Sequence, residues 1–294
     1  MEKIIEKAAT LVEALPYIRS FRDKIVVVKY GGSTLPDEGG SETVLADLVF
    51  METVGMQPVV IHGGGKEISR RLEEEGVQSH WVNGLRVTDA ETMRVVEETL
   101  FRIVNRRISE GIEQLGGSAR GMSAKDAEIM RVTQHFAETE VGGETKSVDI
   151  CFVGDVDYID PEPIRQVCEG EMIPVITPIG LGEDGKSYNV NADTAAGEIA
   201  RALQAEKLVF LTDVNGICRD ASDPSSRIST LHLADIEGLI DDGTIRGGMI
   251  PKVRAGERSV NGGVNKTHII DGRLPHSQLL EIFTREGIGT EIVQ

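Results

Sequence analysis

Residues Val59 to Ser69 read VVIHGGGKEIS. An apolar run from Pro58 to Ile61 meets a histidine and three consecutive glycines, and a polar helical pattern follows. A buried strand that gives way at once to bare backbone and then to a helix belongs to an open α/β sheet, where ligands sit beyond the carboxyl ends of the strands. Val26 to Ser33, VVVKYGGS, repeats the arrangement with a lysine added.

The same alternation runs outward from these two stretches. Ile25 to Val28 reads as a strand, residues 41 to 54 as a helix, Pro58 to Ile61 as a strand. Residues 66 to 75 read as an exposed helix, with Glu67/Arg71 and Arg70/Glu74 spaced for ion pairs. A long helix is expected from Ala90 to about Leu115, carrying Met93, Val96, Leu100, Ile103, Ile108 and Ile112, and ended by Gly116-Gly117. ETEVGGETKS (138–147) is a hairpin or a loop. Further buried strands are expected at 173–177, 207–212 and 267–271. Short apolar strands between helices imply a mainly parallel sheet covered on both faces. There is no internal repeat and no low-complexity linker. A division near residue 180 is functional only, one glycine-rich site lying on each side of it.

The chain has 294 residues, enough to bury a sizeable core. Its 31 basic and 48 acidic residues give a formal charge of −17. That charge argues against nucleic acid or an anionic membrane as partner, but not against a nucleotide, whose site needs only a few local cations. Cys151, Cys168 and Cys218 are odd in number and far apart, as expected of reduced thiols in a cytoplasmic protein. MEKIIEKAAT is not a secretory signal, and no apolar run is long enough to cross a membrane.

Glycine lets backbone approach a ligand closely, and N–H groups ahead of a helix form an anion site. His62-Gly63-Gly64-Gly65 and Lys29 with Gly31-Gly32 each read as a phosphate cradle, or as tight strand-to-helix packing. Neither fits GxxxxGK[ST] or GxGxxG. In GGMIPKV (Gly247 to Val253), Pro251 suits a first helical turn. Lys252 then stands against the helix dipole, which makes sense beside an anion; it is otherwise an ordinary exposed lysine. In YNVNADTAAGEIA (188–200), an extended backbone points Asn189, Asn191 and Asp193 to one side, and Asp193 is alternatively the cap of the next helix. LVFLTDVNGI (208–217) repeats a buried strand, then Thr212, Asp213 and Gly216. NGLRVTD (83–89) places Arg86 in a loop before the long helix, as a carboxylate clamp or a solvated arginine.

In order, Lys-x-Gly-Gly, His-Gly-Gly-Gly, Gly-Leu-Arg-Val-Thr-Asp, Asn-x-Asn-Ala-Asp, Leu-Thr-Asp-Val-x-Gly and Gly-Gly-Met-x-Pro-Lys resemble the amino acid kinase family, from Ile25 to the C-terminus. GLRVTD and NVNAD are the most specific parts. They point to the members that phosphorylate the side-chain carboxylate of N-acetyl-L-glutamate in arginine biosynthesis. The resemblance implies a three-layer αβα sandwich around a mainly parallel sheet. Residues 1–20 would be an N-terminal helix for oligomerisation and regulation. Residues 21–294 would be the kinase domain, with an acyl-substrate half (about 21–180) and an ATP half (about 181–294).

The same resemblance implies the site. Lys29 and Lys252 would contact the transferring phosphoryl group, with Asp193 between them. Gly32, Gly64 and Gly65 would donate backbone N–H bonds. Arg86 would clamp the substrate's α-carboxylate, and Asn189 and Asn191 its acetamido end. Thr212, Asp213 and Gly216, with Arg246, Gly248 and Met249, would line the nucleotide. Mg²⁺ would arrive on ATP with no protein ligand of its own. A carboxylate acceptor is already ionised and needs no general base, so His62 reads as structural.

Three positions depart from the family: Lys66 where proline is usual, Ala124 where glycine is, and Trp81 where phenylalanine is. They bear on the substrate loops and remove no proposed catalytic group.

Residues 3 to 15 form an amphipathic helix bearing Ile4, Ile5, Ala8, Leu11, Val12 and Leu15, with Pro16 after it. It packs on its own domain, or it resembles the helix that interlaces dimers in arginine-inhibited hexameric members. HIIDGRLPHSQLLEIFTREGIGTEIV resembles their L-arginine site, with His268, Glu281 and Gly287 at the matching positions and Tyr17 and Lys207 as weaker candidates. A homo-oligomer follows, a dimer or a hexamer built as a trimer of dimers. Two other readings remain: a related kinase acting on an N-blocked aminoadipate, and a non-catalytic nucleotide-binding regulator.

Overall fold

Ile25–Tyr30 (β1) is buried along its whole length, its β-branched run Ile25 to Val28 suiting the inside of a parallel sheet. The computed structural model describes residues 2–31, 42–125, 128–141, 144–284 and 287–294. In chain order, α1 (Glu2–Phe21), β1, α2 (Glu42–Thr53), β2 (Gln57–His62) and α3 (Gly65–Glu74) come first. Next are β3 (Trp81–Val82), β4 (Leu85–Arg86), α4 (Ala90–Glu97), a π-helical segment (Glu98–Asn105) and α5 (Arg106–Gln114). Then follow β5 (Ala119–Ser123), β6 (Met130–Val141), β7 (Glu144–Ile159), α6 (Glu162–Glu169), β8 (Ile173–Thr177), β9 (Ile179–Gly182) and β10 (Ser187–Asn189). The chain closes with α7 (Ala192–Leu203), β11 (Lys207–Thr212), β12 (Thr230–His232), α8 (Ile236–Asp241), α9 (Met249–Asn261), β13 (Lys266–Asp271), α10 (Ser277–Phe283) and β14 (Thr290–Val293).

The eight-stranded sheet has the order β12-β14-β13-β11-β1-β2-β8-β5. Its pairings are parallel except β13 with β14. Side-chain alternation splits the core into two layers. Val27, Val59, Ile61, Leu208 and Phe210 face α7 and α9, whereas Val26, Val28, Val60, Val209 and Leu211 face α2, α5 and α10. The three-layer sandwich expected from the sequence is the one found. β6, β7, β9 and β10 close on themselves beside the main sheet. Within the stretch 138–147, residues 138–141 pair antiparallel with 144–147, the hairpin alternative, while 142–143 lie outside the described residues.

Local expectations needed correction in four places. The first helix runs through Pro16 to Phe21, because its last turns are anchored: Tyr17 meets Phe283 of α10 edge-on, with ring centroids 6.3 Å apart. Glu67 pairs with Arg70 at 2.5 Å rather than with Arg71, which reaches Glu74 and Glu75; Arg70–Glu74 forms as expected. The helix expected from Ala90 to Leu115 is continuous but contains the π-helical segment, which residue spacing does not announce. The strand before α7 stops at Asn189, so residues 189–193 are not extended throughout.

Candidate active site

Asn191, not Asp193, caps α7: its side-chain oxygen accepts from Asp193 N at 2.9 Å and Thr194 N at 3.1 Å. Asp193 therefore sits in the first helical turn with its carboxylate free to reach outward. Its Oδ1 lies 2.9 Å from Lys29 Nζ, and its Oδ2 2.9 Å from Lys252 Nζ. Lys29 comes from the carboxyl end of β1, and Lys252 from the first turns of α9. α7 and α9 approach closely at Gly197, where an added Cβ would lie 3.1 Å from Ala255 O. Burial alone would push the Asp193 carboxyl up, but the two ammonium groups outweigh it and hold the pKa below the usual range. The trio keeps one net positive charge in a nearly closed site.

The two glycine stretches touch. Gly63 N donates to Tyr30 O at 2.9 Å, and a Cβ on Gly31 would lie 2.8 Å from Gly63 N. Gly64 precedes α3 as its cap, and a Cβ there would meet Leu100 Cδ2 at 2.5 Å. Gly65 is the first residue of α3. Gly32 lies outside the described residues. His62 is fully buried with Nδ1 2.9 Å from Gly63 O and Nε2 3.2 Å from Asn105 Nδ2. A carbonyl only accepts and an amide NH₂ only donates, so the ring is neutral and protonated at Nδ1. Burial pushes its pKa down to about 4, which fits the structural reading.

Arg86 lies in β4 and is 5% exposed, so it is not a solvated surface residue. Its Nη1 donates to Ser79 Oγ at 2.5 Å, and its Nη2 to Ser69 Oγ at 2.8 Å and Gly65 O at 3.3 Å. All three acceptors are neutral. Among the described residues no carboxylate lies within ion-pair distance of it, and burial lowers its pKa. A buried cation with no counter-charge is costly unless a ligand supplies the anion. Arg86, Gly64, Gly65, Asn189 and Asn191 line one cleft of about 190 Å³, with Trp81 at its rim.

A second cleft of about 570 Å³ has Lys252 in its wall. Thr212, Asp213, Gly216, Arg246, Gly248 and Met249, all expected from the sequence, line it. Asn215, inside the expected segment 212–217, lines it too, whereas Cys218 and Arg273 line it and were missed. Arg273 follows a strand end like those that drew attention elsewhere, but carries no glycine pair to mark it. Gly216 has φ 85°, and Thr290 Oγ1 fills the place of its missing Cβ at 2.6 Å. Behind this turn, Arg227 Nη1 donates to Asn215 Oδ1 at 3.2 Å and to Ile288 O.

Away from the clefts, Lys207 Nζ lies 3.0 Å from His268 Nε2, and His268 Nδ1 2.6 Å from Glu281 Oε1. Glu281 Oε2 accepts from Ile288 N at 2.6 Å and Gly289 N at 3.1 Å, and Gly287 packs against the same carboxylate. Burial pushes Glu281 up, but His268 and the two N–H groups outweigh it and hold the pKa down to about 2. Tyr17, on α1, reaches this region through Phe283. His268, Glu281 and Gly287 of the C-terminal stretch thus fall together with Lys207, and Tyr17 borders them through Phe283.

Residues 24–271 match the model of the amino acid kinase family. An acetylglutamate kinase of Heliobacterium modesticaldum is 52% identical over 295 residues, spanning 100% of both chains. Among solved structures, an N-acetylglutamate synthase from Neisseria gonorrhoeae complexed with coenzyme A and N-acetyl-glutamate has a TM-score of 0.81 at 27% identity, over 98% of this chain and 63% of that one. The synthase from the same organism complexed with coenzyme A and L-arginine has a TM-score of 0.78 at 26% identity, over 97% of this chain and 65% of that one.

Proposed function

The chain belongs to the amino acid kinase family, and on that premise we propose that it transfers the γ-phosphoryl group of ATP to the side-chain carboxylate of N-acetyl-L-glutamate, in arginine biosynthesis. The observation that carries this reading is Asp193 holding Lys29 and Lys252 at 2.9 Å each, with Lys252 lining the larger cleft and Asn191 and Ala192, just before Asp193, lining the smaller. One acceptor oxygen attacks the γ-phosphorus as the bond to the β–γ bridging oxygen breaks, and ADP leaves with that electron pair. No proton moves, because the acceptor is already a carboxylate. The obstacle is the meeting of two anions. Lysines already in place and backbone N–H groups of the glycine loop offset that repulsion without reorganising.

The smaller cleft, the acyl side formed around residues 21–180 and completed by Asn189 and Asn191, takes N-acetyl-L-glutamate. Arg86 receives its α-carboxylate, and the two asparagines its acetamido group. The larger cleft, in the part from about residue 181, takes ATP. Mg²⁺ would be brought by the ATP phosphates rather than held by Asp193, whose two oxygens are each engaged by a lysine. L-arginine binds beside Lys207, His268 and Glu281 and inhibits. The exposed apolar side chains Val12 and Leu15 of α1 pack between copies in a homohexamer. The protein works in the cytoplasm, and no helix among the described residues is long and apolar enough to cross a membrane.

Acyl phosphate formed from N-acetyl-L-glutamate and ATP, trapped with hydroxylamine, tests the reaction. The native chain should be active, and Lys252→Ala should lose on the order of 10²-fold or more in kcat. Activity surviving in that variant would discard the phosphoryl-site assignment but keep the enzyme. An inactive native chain, or preference for an aminoadipate derivative, would discard the acceptor.

A further inference from the structure

β3 and β4 form a two-stranded hairpin joined by Asn83-Gly84, whose φ values of 48° and 79° make a type I′ turn. Register follows from the turn: Trp81 stands opposite Arg86, and Val82 opposite Leu85. Val87 N donates to His80 O at 2.9 Å in the next rung, so Trp81 and Arg86 occupy the non-hydrogen-bonded pair, where side chains approach most closely. Alternation then divides the hairpin. Val82 and Leu85 pack on Ala137, Ile150 and Val153, while Trp81 and Arg86 line the acyl cleft, whose wall Leu85 also reaches. Asn83 Nδ2 donates to Glu138 O and ties the turn to β6.

The guanidinium carbon of Arg86 lies 4.3 Å from the centroid of the Trp81 ring. The indole is 54% exposed, whereas the arginine it covers is 5% exposed. A large apolar ring left in water while it seals a buried cation is unexplained by packing of the hairpin alone. The in-plane donors of Arg86 meet Ser79, Ser69 and Gly65, and the ring covers one face. The guanidinium plane is thus fixed on two sides before any ligand arrives.

We propose that Trp81 is a positioning residue: its ring orients and dehydrates Arg86 so that Arg86 selects an acceptor carrying an α-carboxylate. This rests on the acceptor assigned above and adds to it a residue responsible for selectivity. The discriminating pair of acceptors is N-acetyl-L-glutamate and 4-acetamidobutanoate, which keeps the reacting carboxylate and the acetamido group but has no α-carboxylate.

Trp81→Ala should lose about tenfold in kcat/KM for N-acetyl-L-glutamate, chiefly through KM. Its loss with 4-acetamidobutanoate should stay within about twofold, since that acceptor never uses Arg86. Trp81→Phe, which keeps an aromatic face, should recover most of the selectivity. Equal losses on both acceptors, or a Trp81→Phe variant as impaired as Trp81→Ala, would overturn the proposal. Trp81 is the sole tryptophan, so its emission gives an independent reading. If the native chain turns over neither acceptor, the acceptor assignment fails and emission decides the inference. A saturable change with N-acetyl-L-glutamate that 4-acetamidobutanoate does not produce supports it, and no change overturns it.

Discussion

Single residues in this protein are set by what surrounds them more than by their type. His62 and Lys252 were both plain in the sequence, but only the fold separates a neutral, twice-bonded imidazole from a cation aimed at a carboxylate. The histidine has a consequence for acid stability. Its folded pKa of about 4 lies below the unfolded value near 6.5. Above that value neither state holds the proton, and the protein has its full stability. As pH falls from about 6.5 toward 4, the unfolded chain takes up a proton that the folded chain refuses, so stability declines by up to about 3 kcal/mol. Urea midpoints between pH 7.5 and 5 should therefore fall for the native chain and fall less steeply for His62→Gln. Parallel slopes in the two proteins would sink this account.

At the scale of elements, the glycine loop and the π-helical segment were made for each other. Leu100 and Val104 from that segment occupy the space a side chain on Gly64 would need. The sequence marked the glycines but could not reveal the π turn, because apolar spacing alone does not distinguish i→i+4 from i→i+5 bonding. Likewise Asn191 and Asp193 were both legible as polar residues at a strand end. Which of them became the cap depended on where β10 stopped, and that boundary is set by pairing with β9. Gly64→Ala should displace either Leu100 or the loop that touches Gly31. The expected result is a loss of about 10²-fold in kcat, with a stability change of only about 1–3 kcal/mol by urea unfolding. Leu100→Ala in the same chain should return part of the activity. If Gly64→Ala alone is fully active, the close approach has no part in transfer.

For the whole molecule, the order of strands and helices was readable because a buried parallel sheet needs continuous apolar runs. Val26 to Val28 and Leu208 to Leu211 supply them. The closed set of β6, β7, β9 and β10 was less readable, since its long strands alternate and are partly polar. The assembly is where intact protein should respond to effector. Millimolar L-arginine should inhibit the full-length chain, and the chain should elute as a hexamer. Removal of residues 1–20 should yield smaller, active assemblies that arginine no longer inhibits. A full-length chain indifferent to arginine would remove the regulatory reading and leave the catalytic one. One contact described above bears on how such control would operate. Arg227 and Thr290 fasten the turn carrying Asn215 and Gly216 to the strand edge that begins beside Glu281. Segments joined this directly cannot be biased in one direction only. Whatever penalty an effector at Glu281 imposes on nucleotide affinity, bound nucleotide must impose the same penalty on the effector. The cell's energy charge would then set how much arginine is needed to silence the pathway.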